Sequence, residues 1–281
     1  MENKIYEIAA EKIIKADACI ITSGAGMGVD SGLPDFRGDE GFWRAYPRVG
    51  KLGIPFSRMA NPDWFIDKPE LAWAFYGHRL NMYRETQPHD GFYQLLEIAE
   101  TKPGGYFVFT SNVDGHFQKA NYSVNRIEEC HGSIHHFQCI TPCTRDIWDA
   151  SEINIEIDDE EFLAQPPLPK CMNCNSLARP NILMFGDWSW ISRRTDEQSQ
   201  NFDNWLEKNS QSDHEIVIIE VGAGKAVPTV RWKSERIARN YNGSLIRINP
   251  RDADVPADHF SVKGNAAESI NGIYQIWKNL R

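Results

Sequence analysis

Residues 18–38 read ACIITSGAGMGVDSGLPDFRG. The run Ala18–Thr22 is apolar and short, which fits a buried strand. Gly24 and Gly26 follow it directly. A glycine-rich turn from strand to helix lets a pyrophosphate approach bare backbone N–H groups. A tight turn would account for these glycines equally well, and Gly28 falls too early for the GxGxxG spacing. The tail SGLPDFRG is more than a turn requires. Something is expected to lie against this loop.

Three further apolar runs read as buried parallel strands: Tyr106–Thr110, Glu215–Val221 and Ser244–Ile248. They end in SNVDG, GAGK and NP. In an open parallel sheet ligands sit beyond the carboxyl ends of the strands, so these ends are expected to converge on one crevice. Helical patterns lie between them, at Glu70–Arg84 and Gly91–Ala99. The fold class is α/β: a Rossmann-like parallel sheet with a smaller zinc-binding and helical module. Residues 1–37, 101–131 and 183–281 are assigned to the sheet domain. A helical insertion (38–100) and a cysteine-bearing segment (132–182) are assigned to the small one.

The chain has 281 residues, enough for a sizeable core, with 41% hydrophobic and 25% charged residues. A formal net charge of −9 argues against nucleic acid or an anionic membrane as the main partner. The N-terminal MENKIYEIAAEKIIKADACII has the spacing of an amphipathic helix, not of a signal peptide. No apolar run approaches the ~18–20 residues of a membrane span. The expectation is a soluble, intracellular, cytoplasmic protein. Its oligomeric state is left open.

Four of the six cysteines form two pairs, CITPC (Cys139, Cys143) and CMNC (Cys171, Cys174). Two thiolate pairs on short knuckles predict a closed, structural zinc site. Cys19 reads as core and Cys130 as a buried neighbour of His131. Asn112 and Asp114 sit at a strand end, where they serve either a ligand or an Asx turn. A histidine near neutrality is a candidate base, but spacing alone does not choose among His131, His135 and His136. Tyr76 and Arg79, at i and i+3, share a helix face; an Arg–Tyr pair can bind a carboxylate, or simply sit on a half-exposed helix.

Residues 24–38 resemble the sirtuin hallmark G-A-G-x-S-x-x-S-G-I-P-D-F-R, departing at Gly28 and Leu33. The resemblance continues through TSNVDGHFQKAN (110–121), EECHGS (128–133), the cysteine pairs, RPNILMFGD (179–187), VGAGKAVP (221–228), RINP (247–250) and VKGNAAE (262–268). It covers nearly the whole chain. It implies an NAD-dependent protein-lysine deacylase, a deacetylase or desuccinylase, with NAD and zinc as cofactors and an acylated protein lysine as substrate. The acyl oxygen would displace nicotinamide from the ribose, and free lysine and O-acyl-ADP-ribose would result.

The resemblance also implies site residues. His131 would be the base, beside Asn112 and Asp114 at the nicotinamide pocket, while His116, His135 and His136 would be structural or surface residues. The rest of the cofactor site would comprise Gly24, Ala25, Gly26, Asp35, Phe36, Arg37, Ser111, Gly222, Ala223, Gly224, Asn249, Pro250, Gly264 and Asn265. Tyr76 and Arg79 would select an acidic acyl group such as succinyl, and Phe185 and Gly186 would meet the substrate peptide. The chain departs from the family at Ser111, at Ala223 and Gly224, and where FGD runs into WSWISRR. Those departures keep two alternatives in view: ADP-ribosyl transfer to protein or NAD hydrolysis on the same fold, and a non-catalytic NAD- or ADP-ribose-binding regulator. Trp188 and Trp190 would stack on substrate, close the groove, or merely pack.

Overall fold

The computed structural model describes residues 2–34, 38–158 and 160–281. The strands among these residues are, in chain order, β1 (Ala18–Ser23), β2 (Tyr106–Thr110), β3 (Ile127–Glu129), β4 (Gly132–Cys139), β5 (Ile147–Asp149), β6 (Ile157–Asp158), β7 (Leu163–Ala164), β8 (Ala178–Ile182), β9 (Ile216–Val221), β10 (Ser244–Ile248) and β11 (Phe260–Val262). The predicted strands stand almost unchanged; β1 gains Ser23 and β9 starts after Glu215. The two predicted helices become Pro69–Glu85 and Asp90–Glu100, one residue longer at each end.

Six strands form one parallel sheet in the order β11-β10-β9-β1-β2-β3. The chain builds outward from β1 through β2 to β3, then crosses back and builds outward again through β9, β10 and β11. The order therefore reverses between β1 and β9, and at such a point the loops diverge and open a crevice. Register aligns the strand ends in one row. Ser23 pairs with Thr110 and Val221, Val221 with Ile248, Ile248 with Val262, and Thr110 with Glu129.

Alternation along the strands clothes both faces. Cys19, Ile21, Val108, Val217, Ile219 and Ile246 pack with the helices Glu2–Lys15, Asp90–Glu100 and Ala266–Leu280. Ile20, Phe107, Ile216, Ile218 and Leu245 pack with Arg193–Gln211 and Thr229–Asn240. Helices on both faces explain why these strands are nearly all apolar rather than alternating with polar residues.

A second core lies among the helical insertion and a three-stranded antiparallel sheet, β5-β4-β8. Trp73, Phe75, Tyr76 and Leu80 of the helix Pro69–Glu85 meet Ile134 and Phe137 of β4 and Ala178 and Ile182 of β8. The Trp73 indole N–H donates to the Ala178 carbonyl at 3.1 Å. Gly77 is required here: a Cβ would lie 2.4 Å from Ile155. The cysteine-bearing segment has too few apolar residues for a core of its own, so it shares this one. Among the described residues no helix is long and apolar enough to cross a membrane.

Candidate active site

The glycine loop and the loop after β9 are bound backbone to backbone. Gly24 N–H donates to Val221 O and Gly26 N–H to Gly222 O, both at 3.0 Å. A Cβ on Gly24 would lie 2.9 Å from Ala223 Cα, and one on Gly222, whose φ is +67°, would lie 2.4 Å from Gly26 C. These glycines are therefore needed so that two loops can touch. This corrects the expectation of bare N–H groups at Gly24 and Gly26, which the β9 loop already engages. The exposed Ala25 at the tip has no backbone N–H partner among the described residues. A Cβ at Gly224 would meet nothing within 4 Å, so the space beside the loop is open there. Asp35, Phe36 and Arg37 lie outside the described residues.

The end of β2 is fastened to the same place. Ser111 N–H donates to Ser23 O at 3.1 Å, Ser23 and Thr110 hydroxyls meet at 2.8 Å, and Asn112 Nδ2 donates to Gly24 O at 3.0 Å. Asp114 is buried, and its Oδ1 accepts the His116 backbone N–H at 2.9 Å. This is the Asx turn weighed from the sequence, and it leads into the short helix His116–Lys119, whose N-cap is Gly115. His131 is brought to the same corner. Burial holds its imidazole below the usual range, opposed by a hydrogen bond with the Ser111 backbone. A neutral imidazole has a lone pair to accept a proton, as a base requires. Gly132, at φ +77°, lets β4 pass β8; a Cβ there would lie 2.0 Å from Asn181 O.

His135 and His116 are not surface residues. The His135 ring nitrogen Nε2 lies 2.8 Å from the Asp114 carbonyl, and the ring covers Gly115, where a Cβ would approach to 2.7 Å. His116 is fully buried, and neither of its ring nitrogens has a hydrogen-bond partner among the described residues. Desolvation lowers the pKa of both. Nearby, the Lys119 ammonium caps a helix C-terminus by donating to the Tyr83, Arg84 and Thr86 carbonyls. Repetition of histidine near HGS masked this role for His135 in the sequence.

Asn249 is fully buried and bridges two loops: Nδ2 donates to Ala223 O at 2.9 Å, while Oδ1 accepts from Arg251 and Asp252 N–H groups at 3.0 Å. It fixes the loop walls of the crevice. Pro250 follows it, half-buried. Beyond β11, Gly264 packs where a Cβ would lie 2.4 Å from Ser269 Oγ, and the exposed Asn265 begins the last helix. Asp30 accepts from Ala267 N–H at 2.8 Å, joining that helix to the glycine loop. The four strand-end segments expected at one crevice thus share one edge of the sheet.

The four paired cysteines come together. The sulfur atoms of Cys139, Cys143, Cys171 and Cys174 all lie within 4.8 Å of one another, with Cys139–Cys174 and Cys143–Cys171 at 3.6 Å. A tetrahedron with Zn–S of about 2.3 Å has S···S edges of about 3.8 Å, so the donor set and its spacing fit zinc. Hydrogen bonds from Ser176 push the Cys174 thiol down to about 6, toward the thiolate a metal needs. All four ligands come from protein, leaving no open position for water. Cys19 is core, as expected; Cys130 is half-buried against Phe109, Ala223 and Val230.

On the substrate side, Tyr76 and Arg79 are buried rather than half-exposed. The Arg79 guanidinium lies over the Phe75, Tyr76 and Tyr83 rings and donates to the Tyr83 hydroxyl at 2.9 Å. Burial alone would lower its pKa, but the surrounding tyrosines outweigh that and raise it. The buried Tyr76 hydroxyl has no partner among the described residues. Phe185 and Gly186 are exposed, with the Phe185 N–H donating to Ala60 O at 2.9 Å. The turn they occupy is held by Asp187. Its carboxylate pairs with Arg179 at 2.8 Å, both side chains fully buried, and accepts from Ser189 N–H and Met184 N–H. Trp188 is 99% exposed, which excludes plain packing for that residue.

The Sir2 family sequence model matches residues 24–223. A Leptospira interrogans protein named NAD-dependent protein deacylase is 28% identical over 228 residues, covering 81% of this chain and 79% of its own length. The Archaeoglobus fulgidus protein named NAD-dependent protein deacylase 1 is 28% identical over 93% of this chain and 95% of its own. A crystal structure of a Sir2 homolog–NAD complex superposes with a TM-score of 0.72 at 25% identity, covering 98% of this chain and 94% of that one.

Proposed function

Because the chain belongs to the Sir2 family, we propose that it is an NAD-dependent protein-lysine deacylase, with residues 38–100 and 132–182 forming a small domain against the parallel-sheet domain. One observation carries the reading most: His131 and Asn112 meet through Ser111 at the edge where the β1 and β9 loops touch. When bound, NAD supplies the ribose that takes the acyl group, and nicotinamide is the leaving group. The residues around it have separable tasks. Ala25 and Gly224 border the open space for the phosphates. Asn112 and Asp114 line the nicotinamide end. His131, neutral through burial, takes the proton of a ribose hydroxyl. The cysteines hold zinc, whose role is to brace β4 and β8.

The substrate is an acylated lysine on a protein chain laid along the exposed Phe185 and Gly186. Arg79 and the unpaired Tyr76 hydroxyl favour an acidic acyl group. The test is NAD-dependent nicotinamide release with acetyl-lysine peptide, succinyl-lysine peptide, or none. Release that needs acyl peptide and falls at least a hundredfold in His131→Ala supports the reading. Equal release without peptide would replace it with NAD hydrolysis. Faster turnover of succinyl than acetyl peptide, reversed in Arg79→Met, would assign the acyl class.

A further inference from the structure

The helix Pro69–Glu85 runs into Thr86, Gln87 and Pro88. Pro88 has no N–H, so the i+4 partner of the Arg84 carbonyl is missing. Lys119 supplies donors from a distant segment. Its ammonium donates to Tyr83 O at 3.1 Å, Arg84 O at 2.5 Å and Thr86 O at 2.7 Å. An ammonium has three N–H groups, so all of them are spent on this one turn. The turn is held from two other sides as well. The Arg84 side chain donates to Ala150 O and Ile153 O of the cysteine-bearing segment. The Tyr83 hydroxyl accepts from Arg79 twice, at 3.1 and 2.9 Å. Lys119 itself ends the short helix that follows the Asp114 turn. One path therefore leads from the Asn112–Asp114 loop, through Lys119 and the Tyr83 backbone, to the buried Arg79 guanidinium. The electrostatics follow it. Burial raises the Tyr83 phenol, opposed by Arg79 and reinforced by Asp114, and burial lowers the Lys119 ammonium, opposed by Asp114. A guanidinium binds a carboxylate through a rigid fork of N–H groups, so what aims it decides how well it binds.

We infer that Lys119 is a positioning residue for acyl selection: by holding the Tyr83, Arg84 and Thr86 carbonyls it sets the Tyr83 hydroxyl that aims Arg79 at the acyl group. The inference rests on the reading of Arg79 as the group that meets an acidic acyl chain. It puts one determinant of specificity on the loop after Asp114, outside the helix that bears Tyr76 and Arg79. With its donors spent on carbonyls, Lys119 reaches the substrate only through Tyr83.

The test measures Kd of succinyl-lysine and acetyl-lysine peptides for zinc-loaded protein by fluorescence anisotropy, and kcat/KM by NAD-dependent turnover. The unsubstituted protein should favour succinyl about tenfold in Kd, the scale of a charged hydrogen bond. Lys119→Met, which keeps the apolar stem and removes the donors, should bring that ratio to within about threefold, with the Kd for NAD and for acetyl peptide changed by no more than about twofold. Lys119→Arg, which keeps the charge and the N–H donors, should restore most of the preference. In an Arg79→Met background, Lys119→Met should change succinyl binding by less than about twofold, because the two residues act on one contact. A merely structural lysine would weaken NAD, acetyl and succinyl binding together, or its effect would add to that of Arg79→Met. Either result, or a ratio unchanged by Lys119→Met, overturns the inference. A ratio that Arg79→Met itself leaves unchanged overturns the acidic-acyl reading, and this inference with it. A succinyl preference that obeys the cycle in Kd, without turnover, keeps the positioning role and overturns the deacylase.

Discussion

At the carboxyl edge of the parallel sheet, the contacts that define the crevice end largely on backbone atoms: Gly24 to Val221, Gly26 to Gly222, Asn112 to Gly24, Asn249 to Ala223. On the cysteine-bearing side, the Phe185–Ser189 turn is held by the buried Asp187 carboxylate and by the Asn61 and Gln138 amides, besides one backbone bond to Ala60, and the knuckles hang on four sulfurs. The first kind of support fixes Gly24, Gly222, Asn112 and Asn249 but tolerates change at side chains that make none of these contacts. Ser111, Ala223 and Gly224 can therefore differ from the family pattern without moving the crevice. The second kind depends on particular groups, so it should fail abruptly when one is removed and should be where specificity diverges.

The largest expected effect is at the sulfurs. Cys171→Ser should purify with little zinc and a collapsed β5-β4-β8 sheet, because structural zinc supplies on the order of 10 kcal/mol or more to small sites. Metal analysis and thermal unfolding check this; full zinc content with an unchanged Tm would break the comparison. Next is Asp187→Ala, which strands a buried guanidinium at a cost of about 3–5 kcal/mol. Denaturant unfolding should show that loss, and peptide KM should rise more than the KM for NAD. Asn249→Ala should cost less, about 1–3 kcal/mol, because it leaves two N–H groups and one carbonyl without partners. Its signature is weaker NAD binding with peptide KM unchanged.

The smallest effect is in pH. Burial lowers His131 and His135, and it lowers His136 to about 4. A histidine whose folded pKa lies below its unfolded value binds fewer protons when folded, so its neutral burial is favourable above the unfolded value of about 6.5. That contribution is lost as pH falls from about 6.5 toward 4. Urea titrations from pH 7 to 4 should show declining stability, less steep in His136→Phe.

The same division governs what could be read in the sequence. Parallel strands buried on both faces leave apolar runs with abrupt polar ends, so β1, β2, β9 and β10 were legible nearly to the residue, and the CxxxC and CxxC pairs were legible from spacing. Asn112 and His131 stood out because their motifs resemble a family. The glycines were legible as important but not for the right reason: sequence shows that a Cβ is absent, not whether ligand or loop occupies its place. Asp187 and Arg179 were both in a quoted motif, yet their pairing depends on a turn that spacing does not define. His135 on Asp114 and Lys119 on three carbonyls are contacts between distant segments, and no local pattern announces them.

The most direct test of the central claim is the identity of the product. Full-length, zinc-loaded protein is given NAD and an acyl-lysine peptide, and the mixture is resolved by mass spectrometry. The account predicts equal amounts of nicotinamide, deacylated peptide and O-acyl-ADP-ribose. Acyl group still on the peptide, with free ADP-ribose or ADP-ribosylated protein accumulating, would contradict it.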